Sequence, residues 1–138
     1  MKFRESQEMY LETILSLKMK NDKVKSINIA DELNYSRASI SRGVHLLVDK
    51  NLITIDKSGY IEFTEEGYKK AMMIKERHDV LTEFLMSLDV DCKEAEDNAC
   101  RIEHIISDTV FEQIKKYMEI KKVIDNKKDI WYNTVSFG

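Results

Sequence analysis

The sequence predicts a mostly α-helical chain with one small β-hairpin, and three observations carry that expectation. Apolar residues recur at helical spacing along most of the 138 residues. Two short β-rich runs, Leu52-Ile53-Thr54-Ile55 and Tyr60-Ile61-Glu62-Phe63, flank the turn signal Asp56-Lys57-Ser58-Gly59. There is no proline, and the four glycines are Gly43, Gly59, Gly67 and Gly138, so element ends are set by caps and periodicity. A hydrophobic fraction of 43% suffices for one compact core, or for two small ones sharing a long helix.

The first helix is expected from about Glu5 to Lys20, with Tyr10, Leu11, Ile14, Leu15 and Leu17 at helical spacing, ending in Asn21-Asp22-Lys23. Ser26 reads as the N-cap of a short helix through Leu33 that packs Ile29, Ala30 and Leu33. Asn34-Tyr35 makes a turn, Ser36 caps again, and a third helix carries Ile40, Val44, Leu47 and Val48 inward to about Asn51. This is helix-turn-helix spacing, and a hairpin directly after the third helix makes it a winged helix. Two short helices and a hairpin also make an ordinary α+β packing unit.

With Ile40 at the centre of the buried face and roughly 100° per residue, Ala38, Arg42, His45 and Asp49 point away from the core, Ser39 and Ser41 flank them, and Arg37 lies in the first turn. Arg37 and Arg42 suit guanines or phosphates. Ser36, Ser39 and Ser41 offer short hydroxyls near a helix N-terminus, and Lys57 at the wing tip suits a backbone phosphate. Capping and solubility explain the serines equally well. His45 and Asp49 are expected in solvent. The net charge of −3, from 22 basic and 25 acidic residues, advertises no nucleic-acid binding, so such contacts must come from a local patch.

Thr64 is expected to cap a long fourth helix to about Leu88, with Glu65 and Glu66 in its first turn as the helix dipole favours. Its stripe is Ile74, Leu81, Leu85 and Leu88, with His78 inside it. A fifth helix, about Asp91 to Ser107, has a seam of Cys92, Ala95, Ala99, Ile102 and Ile106. Stepping roughly 100° per residue from Ala99 puts Glu103 near 40°, Glu96 near 60°, Cys100 near 100° and His104 near 140°, all on the edge beside the seam. Thiolate, carboxyl and imidazole from Cys100, Glu103 and His104 thus form a half-built site for a transition metal. The alternative is a buried cysteine beside a surface glutamate and a satisfied histidine. Acidic residues crowd the stretch from Asp89 to Glu112, opposed by only Lys93 and Arg101, and a divalent cation would relieve that repulsion.

A sixth helix, roughly Asp108 to Ile120, sets Val110, Phe111, Ile114, Tyr117 and Met118 on one side, as a dimerisation element would. The tail, residues 121–138, starts basic, holds Trp131, Tyr132 and Phe137, and carries no assignment. The expected division is residues 1–64 as a winged helix-turn-helix DNA-binding domain, residues 65–120 as a helical metal-binding and dimerisation domain, and residues 121–138 as a C-terminal tail. Cys92 and Cys100 fit no disulfide framework, and with no apolar span or signal core the chain is expected in the cytoplasm.

From residue 5 to about 120 the chain resembles the diphtheria toxin repressor family of metal-dependent bacterial repressors. The resemblance rests on Glu8-Met9-Tyr10-Leu11, the winged helix, His78 and Ala99-Cys100-Arg101-Ile102-Glu103-His104. It implies a metal set of Met9, Cys100, Glu103 and His104, matching the iron-sensing branch, where the manganese-sensing branch carries carboxylates at the Met and Cys positions. Thioether with thiolate suits iron(II) better than manganese(II). Thr82 stands where the iron branch's second site has a carboxylate, and Glu96 where it has a histidine. Glu12 matches a metal-ligand carboxylate of the manganese branch, so Glu12, His78, Glu96 and Glu103 form an alternative second site. The resemblance implies the short form without the C-terminal SH3-like domain of larger iron-branch members, as in the manganese branch.

The resemblance implies a homodimeric repressor that binds double-stranded operator DNA when iron(II) orders it, represses metal-uptake genes and uses no organic cofactor or membrane. Manganese(II) is the alternative effector, and cobalt(II), nickel(II) and zinc(II) are expected to substitute in vitro. A winged-helix regulator sensing a small organic ligand is a rival. A metalloenzyme is a weaker one, because no general base or nucleophile stands beside the cluster.

Overall fold

A computed structural model describes residues 3–136, with side-chain surroundings for residues 6–127. Its elements are α1 (Phe3–Lys20), α2 (Ser26–Leu33), α3 (Arg37–Asp49), β1 (Ile53–Ile55), β2 (Ile61–Phe63), α4 (Glu65–Met86), α5 (Cys92–Ile102) and α6 (Asp108–Ser136). The chain divides into two compact units, Met1–Glu76 and Arg77–Gly138, with α4 running through the division. It is a winged helix-turn-helix followed by a helical unit, as the periodicity predicts.

The first unit closes around branched aliphatic side chains. Leu11 and Ile14 of α1, Ile29 of α2, Ile40, Val44 and Leu47 of α3, Ile53 and Ile61 of the hairpin, and Ala71 and Ile74 of α4 share one buried cluster. Each fully buried Leu or Ile contributes about 1.5–3 kcal/mol relative to exposure. Tyr10 lies against α3 where Gly43 leaves room, since a Cβ there would stand 2.0 Å from the tyrosine ring. Burial raises the Tyr10 phenol above its ordinary pKa, with Tyr35 adding to the shift and Arg42 opposing it.

Asn34 takes a left-handed conformation, φ 56°, and ends α2. Ser36 Oγ then accepts the Ser39 amide at 3.2 Å and caps α3. β1 and β2 pair antiparallel in the register Ile53↔Phe63, Thr54↔Glu62, Ile55↔Ile61. Between them Asp56 Oδ1 accepts the amides of Ser58 and Tyr60, and Gly59 supplies the positive φ of 89° that the turn needs. Thr64 Oγ1 accepts the Gly67 amide at 3.0 Å and caps α4 as expected. A Cβ at Gly67 would meet the Leu52 carbonyl at 1.8 Å, so only glycine lets α4 start this close to the wing.

Several boundaries differ from expectation. Ser26 is the first residue of α2 rather than its cap: Lys25 is the N-cap, and Asn28 Oδ1 accepts its amide at 2.8 Å. Val48 lies at the rim of the α3 stripe and is exposed. α4 stops at Met86, and Asp89 turns the chain with φ 67°, which carries Leu88 into solvent. α5 ends at Ile102 rather than Ser107, and Cys92 in its first turn is exposed, leaving Ala95 and Ala99 as its buried residues. α6 does not end near Ile120 but continues as helix through Ser136, because Lys121 onward contains no helix breaker. Trp131 and Tyr132 fall on this extension, with side chains outside the described residues, and Phe137 is outside them altogether.

The second unit buries Leu81, Ala95, Ala99, Phe111 and Met118. Phe84 meets Tyr117 edge to face at 6.1 Å, and Lys122 pairs with Glu83 at 2.9 Å, tying α6 to α4. Val110, Tyr117, Ile120 and Ile124 recur at helical spacing along α6, and all four are exposed.

Candidate metal centre and nucleic-acid interface

Glu103 is the most deeply buried ionisable side chain among the described residues of the second unit, 1% exposed. A carboxyl group is costly to bury unless its oxygens are partnered. An imidazole stands near each: Oε2 is at hydrogen-bonding distance, 2.9 Å, from His78 Nδ1, and Oε1 is at ion-pair distance only, 3.2 Å, from His104 Nε2. The ligand atoms of His78, Cys100 and Glu103 all lie within 4.8 Å of one another. Imidazole, thiol and carboxyl in one place are donors of the kind that divalent transition metals take, so the residues present fit such an ion.

The local chain explains how this set arises. Asp91 caps α5 by accepting the Glu94 amide at 3.0 Å, and Ala95 and Ala99 turn inward. The helix stops one residue before Glu103, which is its C-cap and whose amide still bonds Ala99 O at 2.9 Å. Glu103 therefore enters the interior, while His104 follows in the turn rather than on the helix edge assumed from the spacing. Cys100, one turn earlier, is exposed. An exposed thiol near a buried carboxyl gives the group one face open to solvent.

Other expected ligands are placed differently. Glu96 is exposed, and Cys92 Sγ lies 3.8 Å from its carboxyl oxygen, so in the second unit it is engaged along its own helix. Thr82, one turn after His78, has a buried hydroxyl with no hydrogen-bond partner among the described residues. Met9 and Glu12 are both half-buried on α1 of the first unit, three residues apart and so on neighbouring positions of one face. Thr13 Oγ1 donates to Met9 O at 2.8 Å there.

On α3, Arg37, Ala38, Ser41, Arg42, His45 and Asp49 are exposed, as the angular reading predicts, and Lys57 is exposed at the wing tip. The serines do more internal work than that reading assigned. Ser36 Oγ donates to Ser39 Oγ at 2.9 Å besides capping the helix, and Ser41 Oγ lies 3.5 Å from His45 Nδ1. The sequence pattern does not single out Lys23 and Lys25, yet their ammonium groups sit 5.5 Å and 4.8 Å from the Tyr60 ring, beside the wing turn. A basic-residue count on the segment before α2 was the available signal. Arg77 was missed as well, and nothing in its spacing marks it.

Among the described residues no helix is long and apolar enough to cross a membrane.

Comparison with known proteins agrees with this layout. Residues 2–70 match the N-terminal DNA-binding domain of iron-dependent repressors, and residues 64–131 match their metal-binding and dimerisation domain. An uncharacterised helix-turn-helix regulator of Methanocaldococcus jannaschii is 32% identical over 117 residues, covering 83% of this chain and 94% of its own. The diphtheria toxin repressor of Corynebacterium glutamicum is 27% identical over 116 residues, covering 83% of this chain and 51% of its own. Among solved structures, the manganese regulator SloR superposes with a TM-score of 0.72 at 27% identity over 82% of this chain and 53% of its own. A manganese-dependent transcriptional repressor in complex with manganese reaches 0.76 at 25% identity over 82% and 52%. Apart from the Methanocaldococcus jannaschii regulator, the chain spans about half the length of these relatives. With both domain models matched in order, the chain belongs to the iron-dependent repressor family, which includes the diphtheria toxin repressors.

Proposed function

We propose that the chain is a cytoplasmic, homodimeric repressor that binds operator DNA in response to iron(II) and controls genes of metal uptake. The observation that carries the metal reading is the buried Glu103 carboxyl held between His78 and His104 with the Cys100 thiol alongside. A thiolate donor favours iron(II) over manganese(II), which prefers oxygen donors.

His78, Cys100, Glu103 and His104 are the proposed donors of the second unit, with Met9 and Glu12 as the proposed donors from α1 of the DNA-binding unit. When bound, the ion supplies positive charge to a strongly acidic neighbourhood. Cys100 presents the soft ligand, Glu103 the charge-bearing one, and the imidazoles fix its orientation. A conformational equilibrium shifts only by differential affinity, so an ion that binds one arrangement more tightly favours that arrangement. The exposed stripe Val110, Tyr117, Ile120 and Ile124 supports a dimer, because a recurrent apolar face on α6 needs cover. In such a dimer the two α3 helices would enter successive major grooves ~34–36 Å apart, with Arg37 and Arg42 toward bases or phosphates and Lys57 on the backbone.

Manganese(II) is the second reading, favoured by Glu12 and by the manganese-responsive names of the two structural relatives. Anaerobic gel shifts with iron(II) and manganese(II) side by side decide between them, using duplexes enriched from a random-sequence library with metal present. Iron(II) is expected to give tight binding at lower concentration, and Cys100→Ala to reverse that order. Binding unchanged by either ion and by Cys100→Ala would overturn the switch and leave a regulator of another ligand.

A further inference from the structure

The turn between α5 and α6 carries Glu103 and His104, and one side chain grips it along its length. Arg77 Nη1 donates to the carbonyl of Glu103 at 3.3 Å and to that of Ile106 at 3.2 Å. Its Nη2 donates to Asp108 Oδ1 in the first turn of α6. Its guanidinium carbon lies 5.2 Å from the centre of the buried Phe111 ring. Backbone, carboxylate and aromatic contacts from one residue thus span Glu103 to Phe111.

The chain needs this grip for a physical reason. α5 ends without glycine, proline or a left-handed residue, and its last carbonyls face a non-helical turn. The turn's own bonds are short-range: the amides of Ile105 and Ile106 both reach Ile102 O, at 3.0 and 3.1 Å. The guanidinium takes the carbonyls of Glu103 and Ile106, bridging the turn beyond those short-range bonds. The planar guanidinium presents donors from two separate nitrogens to the two carbonyls and the carboxylate, a spacing that the single nitrogen of a lysine ammonium does not match. Arg77 and His78 are adjacent on α4, so one grips the Glu103 backbone while the other meets its side chain.

We propose that Arg77 is a positioning residue for the metal centre, setting Glu103 and His104 against His78 without itself being a ligand. This rests on the metal reading above. It also makes a prediction opposite in sign to simple electrostatics. Removing a positive charge beside a cation site should tighten binding by Coulomb's law. Loss of positioning should weaken it, by on the order of 10–100-fold as for other groups that orient metal ligands.

The test uses cobalt(II) on the full chain, read by absorption and by competition with a chelator. Variants Arg77→Met, Arg77→Lys and Asp108→Ala are compared by circular dichroism and apoprotein melting. The wild type is expected to show a thiolate-to-cobalt charge-transfer band. Arg77→Met and Arg77→Lys are both expected to bind more weakly with altered ligand-field bands, and Asp108→Ala to lose less affinity with an unaltered spectrum. Wild-type affinity and spectrum in Arg77→Met, or tighter binding, would overturn the proposal. If Arg77→Met does not fold, the other two variants decide: wild-type binding by both overturns it, and weakened binding with unchanged apoprotein melting supports it. A wild type that takes up no cobalt(II) would instead bring down the metal reading itself, and this inference with it.

Discussion

The two units of this chain are stabilised by different means. The first closes on Leu11, Ile14, Ile29, Ile40, Leu47, Ile53 and Ile61, all nearly inaccessible and joined in one cluster. The second places alanines on α5, puts a carboxyl group among its most buried side chains, and leaves Val110, Tyr117, Ile120 and Ile124 in solvent. Apolar burial is strong and indifferent to solution conditions other than temperature and cosolvent. A carboxyl group held between imidazoles, and an uncovered helix face, depend on what else is present. The contrast separates a core held by apolar burial from a half whose stability depends on its surroundings.

The largest expected effect lies in the first unit. Gly67→Ala forces a Cβ into the Leu52 carbonyl, a backbone atom with nowhere to go, and should cost about 3 kcal/mol or more. Gly43→Ala meets the Tyr10 ring instead, a side chain that can move, so it should cost less and be partly rescued in a Tyr10→Leu background. Urea unfolding of the two single variants and the Gly43→Ala, Tyr10→Leu double variant checks this. Equal costs for the two glycines would mean that the wing junction is softer than its contacts indicate.

In the second unit, Glu103→Gln keeps size and shape but removes the acid, and should weaken iron(II) or cobalt(II) binding by ~100-fold or more, beyond what the loss of a supporting group does. Hydrogen exchange on the apoprotein should register the change in residues of α5 and α6 while amides of α1 to α3 keep their protection. Spread of the effect into the first unit would mean that the two units do not respond separately.

How much of this was legible in the sequence follows the same line. Where apolar side chains dictate structure, spacing sufficed: Ile40, Val44 and Leu47 gave the inward face of α3, and the Asp56–Gly59 signal gave the wing. The chemistry of Cys100, Glu103 and His104 marks them in the sequence, but the spacing alone implies one continuous helix, which ends instead at Ile102. Ile102-Glu103-His104-Ile105-Ile106 contains no helix breaker, and the helix ends at Ile102 although local propensity does not require it. Arg77 takes the carbonyls that result from 26 and 29 residues away, and no local pattern encodes such a contact. The same limit applied to α6, where a lysine-rich stretch read as a tail continues the helix because nothing interrupts it.

A smaller effect concerns the α6 stripe. Ile120→Asp puts a charge on the exposed apolar face, and if that face is covered by a second copy it should weaken the dimer by about 2 kcal/mol, roughly 30-fold in Kd. Sedimentation equilibrium of the variant against the wild type measures this directly. Monomer stability should barely change, since the residue is exposed in the monomer. An unchanged dimer would move the interface to another surface.

The smallest effects come from the two matched caps, which makes them the sharpest comparison. Ser36 accepts the Ser39 amide at the start of α3, and Asp91 accepts the Glu94 amide at the start of α5. Replacing either by alanine should cost about 1 kcal/mol by the same local mechanism. The consequence should differ. α3 contributes Ile40, Val44 and Leu47 to a shared core, so its cap is coupled to that core and Ser36→Ala should lower the global unfolding free energy of the first unit. α5 buries only Ala95 and Ala99, so Asp91→Ala should appear first as local opening, with faster exchange at the amides of Glu94 and Ala95 and little shift in the main melting transition. Metal should restore that protection, because Cys100 and Glu103 sit at the far end of the same helix and binding there opposes any opening that separates them. If the Asp91→Ala amides exchange equally fast with and without cobalt(II), α5 is not the element through which metal steadies the second unit.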